Sequence, residues 1–190
     1  MVILILGLAI FLGMHSVVIF FPDLRSRAVA RFGEGVWKSL HGMISLIGLA
    51  LIVQGFGLAR QAPTVLYVPP GFLRMVTFLL MLPVFPLIFA AYLPGRIKTA
   101  MKFPMLAAVK FWALAHLLAN GGLADVLLFG GFLAWAVLDR ISLKRRPPLT
   151  SRTAPAGPFN DVVAVLLGLA VYALFIGWAH QRLFGVSPLG

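Results

Sequence analysis

The run Leu4-Ile-Leu-Gly-Leu-Ala-Ile-Phe-Leu-Gly-Met-His15 contains no charged side chain and carries an imidazole at its end. A second run, Trp112-Ala-Leu-Ala-His116-Leu-Leu-Ala-Asn120, places another histidine among apolar neighbours. An apolar stretch of about 20 residues is long enough to cross a bilayer as a helix. A histidine at that depth is costly unless it finds a hydrogen bond or a metal. Two of them on separate segments point to a buried site that bridges helices, with haem iron as the candidate occupant.

Composition agrees with the first part of that reading. Hydrophobic residues make up 61% of the 190, with only sixteen Lys and Arg and five Asp and Glu. Mean hydropathy is +1.01. A soluble domain of this size would need far more polar surface. We therefore expect one compact integral membrane domain over residues 1–190. A cleavable signal peptide fits poorly, because the opening run lacks a basic preface and a small-residue cleavage site. With no cysteine in the chain, thiolate ligands, iron–sulfur clusters and covalent haem attachment are excluded.

Six apolar stretches can be marked: Val2–Phe21, Val36–Leu58, Phe72–Leu93, Pro104–Ala119, Leu123–Leu143 and Phe159–Phe184. The expected fold is an all-α polytopic bundle of about six transmembrane helices. The fourth stretch is short. Pro104 suits its first turn and Asn120-Gly121-Gly122 its end, so stretches four and five should form a tight hairpin. Asp125, just past that turn, is placed as an early-helix acid. The segment Pro22–Gly35 sets Leu24 and Ala28 among Arg25, Arg27, Arg31 and Glu34. It is expected to be a short amphipathic helix at the membrane interface. The connection Arg140–Pro158, rich in Pro, Ser, Thr and basic residues, is expected to be flexible.

A net charge of +11 raises the question of nucleic acid, and its distribution answers it. Arg25, Arg27, Arg31 and Lys38 follow the first stretch, and Arg96, Lys98 and Lys102 follow the third. Arg140, Lys144, Arg145, Arg146 and Arg152 follow the fifth, whereas the opposite side holds only Arg60, Arg74 and Arg182. This is a positive-inside pattern that puts both termini outside the cytoplasm. No basic groove is interleaved with aromatics, so a nucleic-acid partner is not expected. No Ser-His-Asp set, carboxylate pair, phosphate-binding glycine loop or HExxH stands in the sequence, which excludes soluble-type hydrolysis and phosphoryl transfer.

Trp112, His116 and Asn120 recur every four residues and share one helix face. Phe11 and His15 repeat the pattern on the first stretch, and His41, Ser45 and Gly48 form a face with small residues on the second. The last would let a helix or a flat cofactor approach closely. Two uses of these histidines stay open: helix–helix hydrogen bonding, and metal ligation by His15 and His116. At about 1.5 Å per residue, His15 and His116 differ in depth by about 10 Å. By depth His41 pairs better with His15 and is the rival ligand. His180, near the outer end of the last stretch, reads as a solvated interfacial histidine.

The run Met101-Lys-Phe-Pro-Met-Leu-Ala-Ala-Val-Lys-Phe-Trp-Ala-Leu-Ala-His116-Leu-Leu-Ala-Asn-Gly121 resembles the signature of the NnrU family. These small bacterial membrane proteins are related to plant 15-cis-zeta-carotene isomerase. Met14-His15-Ser16, Asp23-Leu-Arg-Ser-Arg27, Arg31-Phe-Gly-Glu34 and the closing Leu183-Phe-Gly-Val-Ser-Pro-Leu189 resemble other parts of the family, so the likeness spans nearly the whole chain. In the plant isomerase two histidines hold a haem b, and His15 and His116 are the matching positions. The resemblance thus implies haem b on that pair and sets His41 aside; Trp112 and Asn120 are cofactor-binding candidates by the face they share with His116. Two departures stand out: Lys102-Phe103-Pro104 where the family reads Arg/Lys-His-Pro, and Asn120-Gly121-Gly122 where it reads Asn-Gly-Asp.

The resemblance implies two functions. One is a haem-binding inner-membrane accessory or sensor for nitrite and nitric oxide reduction in denitrification, partnered with the nitrogen-oxide reductase machinery. The other is a haem-dependent cis–trans isomerase of a carotenoid-like polyene. A cofactor-free structural subunit of the bilayer is the third reading.

Overall fold

A computed structural model describes residues 1–145 and 153–189. Arg146 and Arg152, and with them the middle of the connection expected to be flexible, lie outside the described residues. The described chain is helical throughout, with no strand and a single isolated bridge between Val65 and Gly122. In order the helices are α1 (Val2–Phe20), α2 (Pro22–Phe32), α3 (Glu34–Ala59), α4 (Leu73–Met81), α5 (Val84–Tyr92), α6 (Arg96–Met101), α7 (Pro104–Ala119), α8 (Leu123–Ser142), α9 (Asn160–Leu174) and α10 (His180–Phe184). A π-helical turn, Phe175–Ala179, joins α9 to α10.

The expected all-α membrane class is the observed one. Four helical stretches are long and apolar enough to cross a bilayer: Val2–Phe20, Glu34–Ala59, Leu73–Tyr92 and Asn160–Phe184. Of the other two expected spans, α7 has 16 residues, short of the usual length. The other, α8, has 20 residues but includes Asp125, Asp139 and Arg140. Large apolar side chains point outward, among them Leu46, Val53, Leu166 and Trp178, and among the described residues no polar residue is buried. That inversion suits lipid as solvent, with small residues reserved for helix contacts.

The third expected stretch is interrupted. Pro83 and Pro86 remove the N–H groups that would reach the carbonyls of Leu79 and Leu82, and α4 gives way to α5 at that point. The chain divides into two compact units, Met1–Pro69 with Ala119–Pro147, and Pro70–Leu118 with Pro148–Gly190. Stretches four and five, expected to pair as a hairpin, belong to different units: α8 packs on α1, whereas Ala107 and Ala108 of α7 pack on Val84 and Leu87 of α5.

In the first unit α1 lies along α3. A Cβ at Gly48 would stand 2.8 Å from the Phe11 amide nitrogen, so a side chain there would force the helices apart. The helix α2 has Pro at its first turn and no buried residue, as an interfacial helix requires. The carboxylate of Glu34 reaches Lys38 at 3.0 Å and Arg25 at 3.8 Å. The loop after α3 then docks on the Gly121-Gly122 turn. The amides of Leu66 and Tyr67 donate to the Gly121 carbonyl, and Leu123 N–H donates to Thr64. Asp125 accepts the Gly122 N–H at 3.1 Å, the early-helix role expected of it. Burial raises the Tyr67 phenol above its ordinary range, and the Asp125 carboxylate adds to this. The hydroxyl accordingly stays a donor, to the Asn120 carbonyl at 2.8 Å.

In the second unit α5 and α9 pack together. The Tyr172 hydroxyl of α9 donates to the Phe78 carbonyl at 2.8 Å, and Thr77 of α4 donates to the Ala115 carbonyl of α7 at 3.1 Å. At the start of α9, the Asp161 carboxylate accepts the backbone N–H groups of Arg96 at 2.8 Å and Ile97 at 3.1 Å. These are the otherwise unsatisfied donors that open α6.

Candidate cofactor site

His15 belongs to the first unit and is half-buried on α1. Its Nδ1 lies 2.8 Å from the Phe11 carbonyl oxygen. A carbonyl only accepts, so Nδ1 carries the proton, and in the neutral form of the ring Nε2 carries the lone pair. Phe11 stacks on the imidazole with centroids 4.3 Å apart and planes 24° from parallel. From α3, His41 meets it edge-on at 4.9 Å, and His41 Nδ1 receives the Ser45 hydroxyl at 3.5 Å. From α8, Trp135 stands at right angles to the His15 ring at 5.9 Å. Its Nε1–H is buried with no hydrogen-bond partner among the described residues.

Sequence reasoning brought His15 and His41 to comparable depth, and the two rings do meet. It did not find Trp135. The signal for that residue is a tryptophan in the apolar stretch of α8, and nothing local says that α8 lies on α1. The spacing of the His15–His41 pair matters for a flat cofactor. Two imidazoles on opposite faces of a metal macrocycle, with metal–nitrogen bonds of about 2 Å, have ring centroids about 6 Å apart. At 4.9 Å the rings touch, and a porphyrin between them would require α1 and α3 to part.

His116 belongs to the second unit, and its environment repeats that of His15. Its Nδ1 lies 2.8 Å from the Trp112 carbonyl oxygen one turn back, so Nε2 again carries the lone pair. The Trp112 ring lies 5.5 Å from the imidazole, inclined by 51°. Trp112 packs in turn on the Val84, Leu87, Ala107 and Ala108 cluster. Asn120 stands just past the end of α7, in the first unit, with its carbonyl engaged by Tyr67. His180, expected to be solvated, is half-buried after the π-helical turn. Its Nδ1–H donates to the Val186 carbonyl at 2.7 Å, and it lies within electrostatic reach of His116.

The residues fit a haem in their chemistry. A backbone carbonyl that fixes one ring nitrogen of a histidine and frees the other is the usual outer support of a metal-ligating imidazole. Both His15 and His116 have it. Among the described residues no group of three or more His, Asp or Glu side chains is arranged to hold a bare metal ion, whereas a macrocycle that fills its own equatorial positions asks the protein for axial nitrogens alone.

Helices of this composition, with histidines on the long apolar stretches α1 and α3 and on α7, define an all-α membrane protein. The chain belongs to the NnrU family: the family model described as NnrU protein matches residues 3–188. Membership supports a membrane protein linked to nitric oxide reductase expression. No curated protein matches the chain, and no solved structure does.

Proposed function

We propose that this chain is a haem-b-binding protein of the bacterial inner membrane, with both termini periplasmic, that serves as an accessory or sensor in nitrite and nitric oxide reduction. The observation that carries the reading is the common presentation of His15 and His116, each with Nδ1 held 2.8 Å from the carbonyl one turn back. Family resemblance supplies the pairing of these two imidazoles as axial ligands, with His41 as rival. Bound haem would supply an iron that reports nitric oxide by exchanging one of the two imidazoles for that gas. The protein's own part is to keep each ring in one tautomer and surround it with apolar side chains that exclude water. The orientation rests on the basic connections after α1 and α8, among the described residues Arg25, Arg27, Arg31, Lys144 and Arg145.

A deletion strain tests the role. Loss of nitric oxide reduction, restored by the wild-type chain but not by His116→Ala, is the expected result. Intact reduction with accumulation of a cis polyene would overturn it in favour of the isomerase reading. One observation favours that second reading. An apolar groove of about 620 Å³ runs along α1 and α8, lined by Leu8, Leu12, Gly13, Ser16, Phe20 and Gly131. Ser16 adjoins His15, and the lining is apolar, as a polyene needs. A preparation that stays colourless with added haem would leave the structural-subunit reading.

A further inference from the structure

The second unit holds a groove of about 1010 Å³ at the end of the packed α5–α9 pair. One wall is the turn Pro94-Gly95 and α6, with Arg96, Lys98 and Thr99; the other is Ala156-Gly157-Pro158. Both walls are fixed by one side chain. The Asn160 amide donates to the Pro94 carbonyl at 2.9 Å and to the Pro155 carbonyl at 3.0 Å, so the groove is built before any ligand arrives.

Its charge is net positive, with Arg96 and Lys98 against the single carboxylate of Asp161. Asp161 turns one oxygen to the Arg96 N–H and the other to the Ile97 N–H. The Lys98 ammonium donates to the Ala91 carbonyl at 2.7 Å, which neutralises nothing. The Arg96 guanidinium is exposed and makes no ion pair among the described residues. Thr99 lies on the same helix face and spends its hydroxyl proton on the Gly95 carbonyl at 3.0 Å, which leaves the Arg96 guanidinium as the donor of this wall.

Position selects the anion. The apolar stretch Leu73–Tyr92 ends, and Asn160–Phe184 begins, beside this groove, which sets it at headgroup level. Small residues at 156 and 157 leave room for a glycerol phosphate against the cations. We propose that this groove binds the phosphate of an anionic membrane phospholipid, through Arg96 with Lys98 adding positive field. Basic pockets at the ends of membrane helices are suited to this use.

The test is native mass spectrometry of the purified full chain in neutral detergent, titrated with phosphatidylglycerol, phosphatidylcholine or inorganic phosphate. Phosphatidylglycerol should bind in preference to phosphatidylcholine. Arg96→Gln should weaken it about fivefold, the worth of one basic residue near an anionic headgroup, while Arg27→Gln on α2 leaves it unchanged. Equal binding of phosphatidylcholine, or an equal loss in Arg27→Gln, would overturn the proposal. Inorganic phosphate binding as tightly as the lipid would overturn it too, in favour of a free-phosphate site.

Discussion

The imidazoles of His15 and His41 meet edge-on, with ring centroids 4.9 Å apart and planes inclined by 70°. The contact is held from both sides, by the Phe11 carbonyl on His15 and by Ser45 on His41. The two histidines therefore differ in kind although they touch. His15 is fixed by its own backbone, while His41 leans on a rotatable hydroxyl. If haem is ligated by His15 and His116, purified protein should show a Soret band that collapses in His15→Ala and in His116→Ala. The band should survive in His41→Ala. Loss in His41→Ala with retention in His116→Ala would transfer the ligand role to the rival. Phe103→His, which restores the family pattern, is the informative companion spectrum.

Trp135 makes a second case. A buried donor left without an acceptor costs about 1–3 kcal/mol, and its Nε1–H is such a donor. Trp135→Phe removes that donor while keeping most of the aromatic body beside His15. In cofactor-free protein we expect a melting temperature equal to or above the wild type, against the usual direction of a large-to-smaller change. A drop equivalent to more than about 2 kcal/mol, the scale of core truncations, would mean the nitrogen has a partner.

Asp161 is the principal tie between the start of α9 and α6. Hydrogen bonds to a charged acceptor contribute about 1.5–3 kcal/mol each, and Asp161 accepts two. Asp161→Asn keeps one acceptor oxygen and should cost roughly half of what Asp161→Ala costs. Thermal unfolding of the two variants in detergent measures the ratio, and equal losses would show that charge rather than acceptor number decides.

Lys102, between α6 and α7, has φ at +59°, the only non-glycine residue in that region among those described. Such a backbone costs about 1–3 kcal/mol for a side-chain-bearing residue. Lys102→Gly should raise stability by about 0.5–1 kcal/mol after the entropy glycine loses on folding, and Lys102→Ile should lower it. Unfolding midpoints of both variants give the sign directly.

The fold class was legible in residue order because lipid demands long apolar helices and little else can satisfy a backbone at that depth. The same order marked the Pro104 start and the Gly121-Gly122 stop of α7, and the short α2 with its proline entry. It also singled out His15, His41 and His116, since an imidazole in an apolar run is visible without a structure. Helix partners were not legible. That α8 packs on α1, bringing Trp135 to His15, depends on surfaces that are apolar on every side and give no periodic cue. The break at Pro83 was written in the sequence as a proline, but whether a membrane helix kinks or ends there is decided by the neighbours that satisfy the freed carbonyls. Residue order alone established a helical membrane chain with histidines at depth. The tertiary structure decided which rings and ladders meet, because those contacts join residues far apart in sequence through packing that no local pattern encodes.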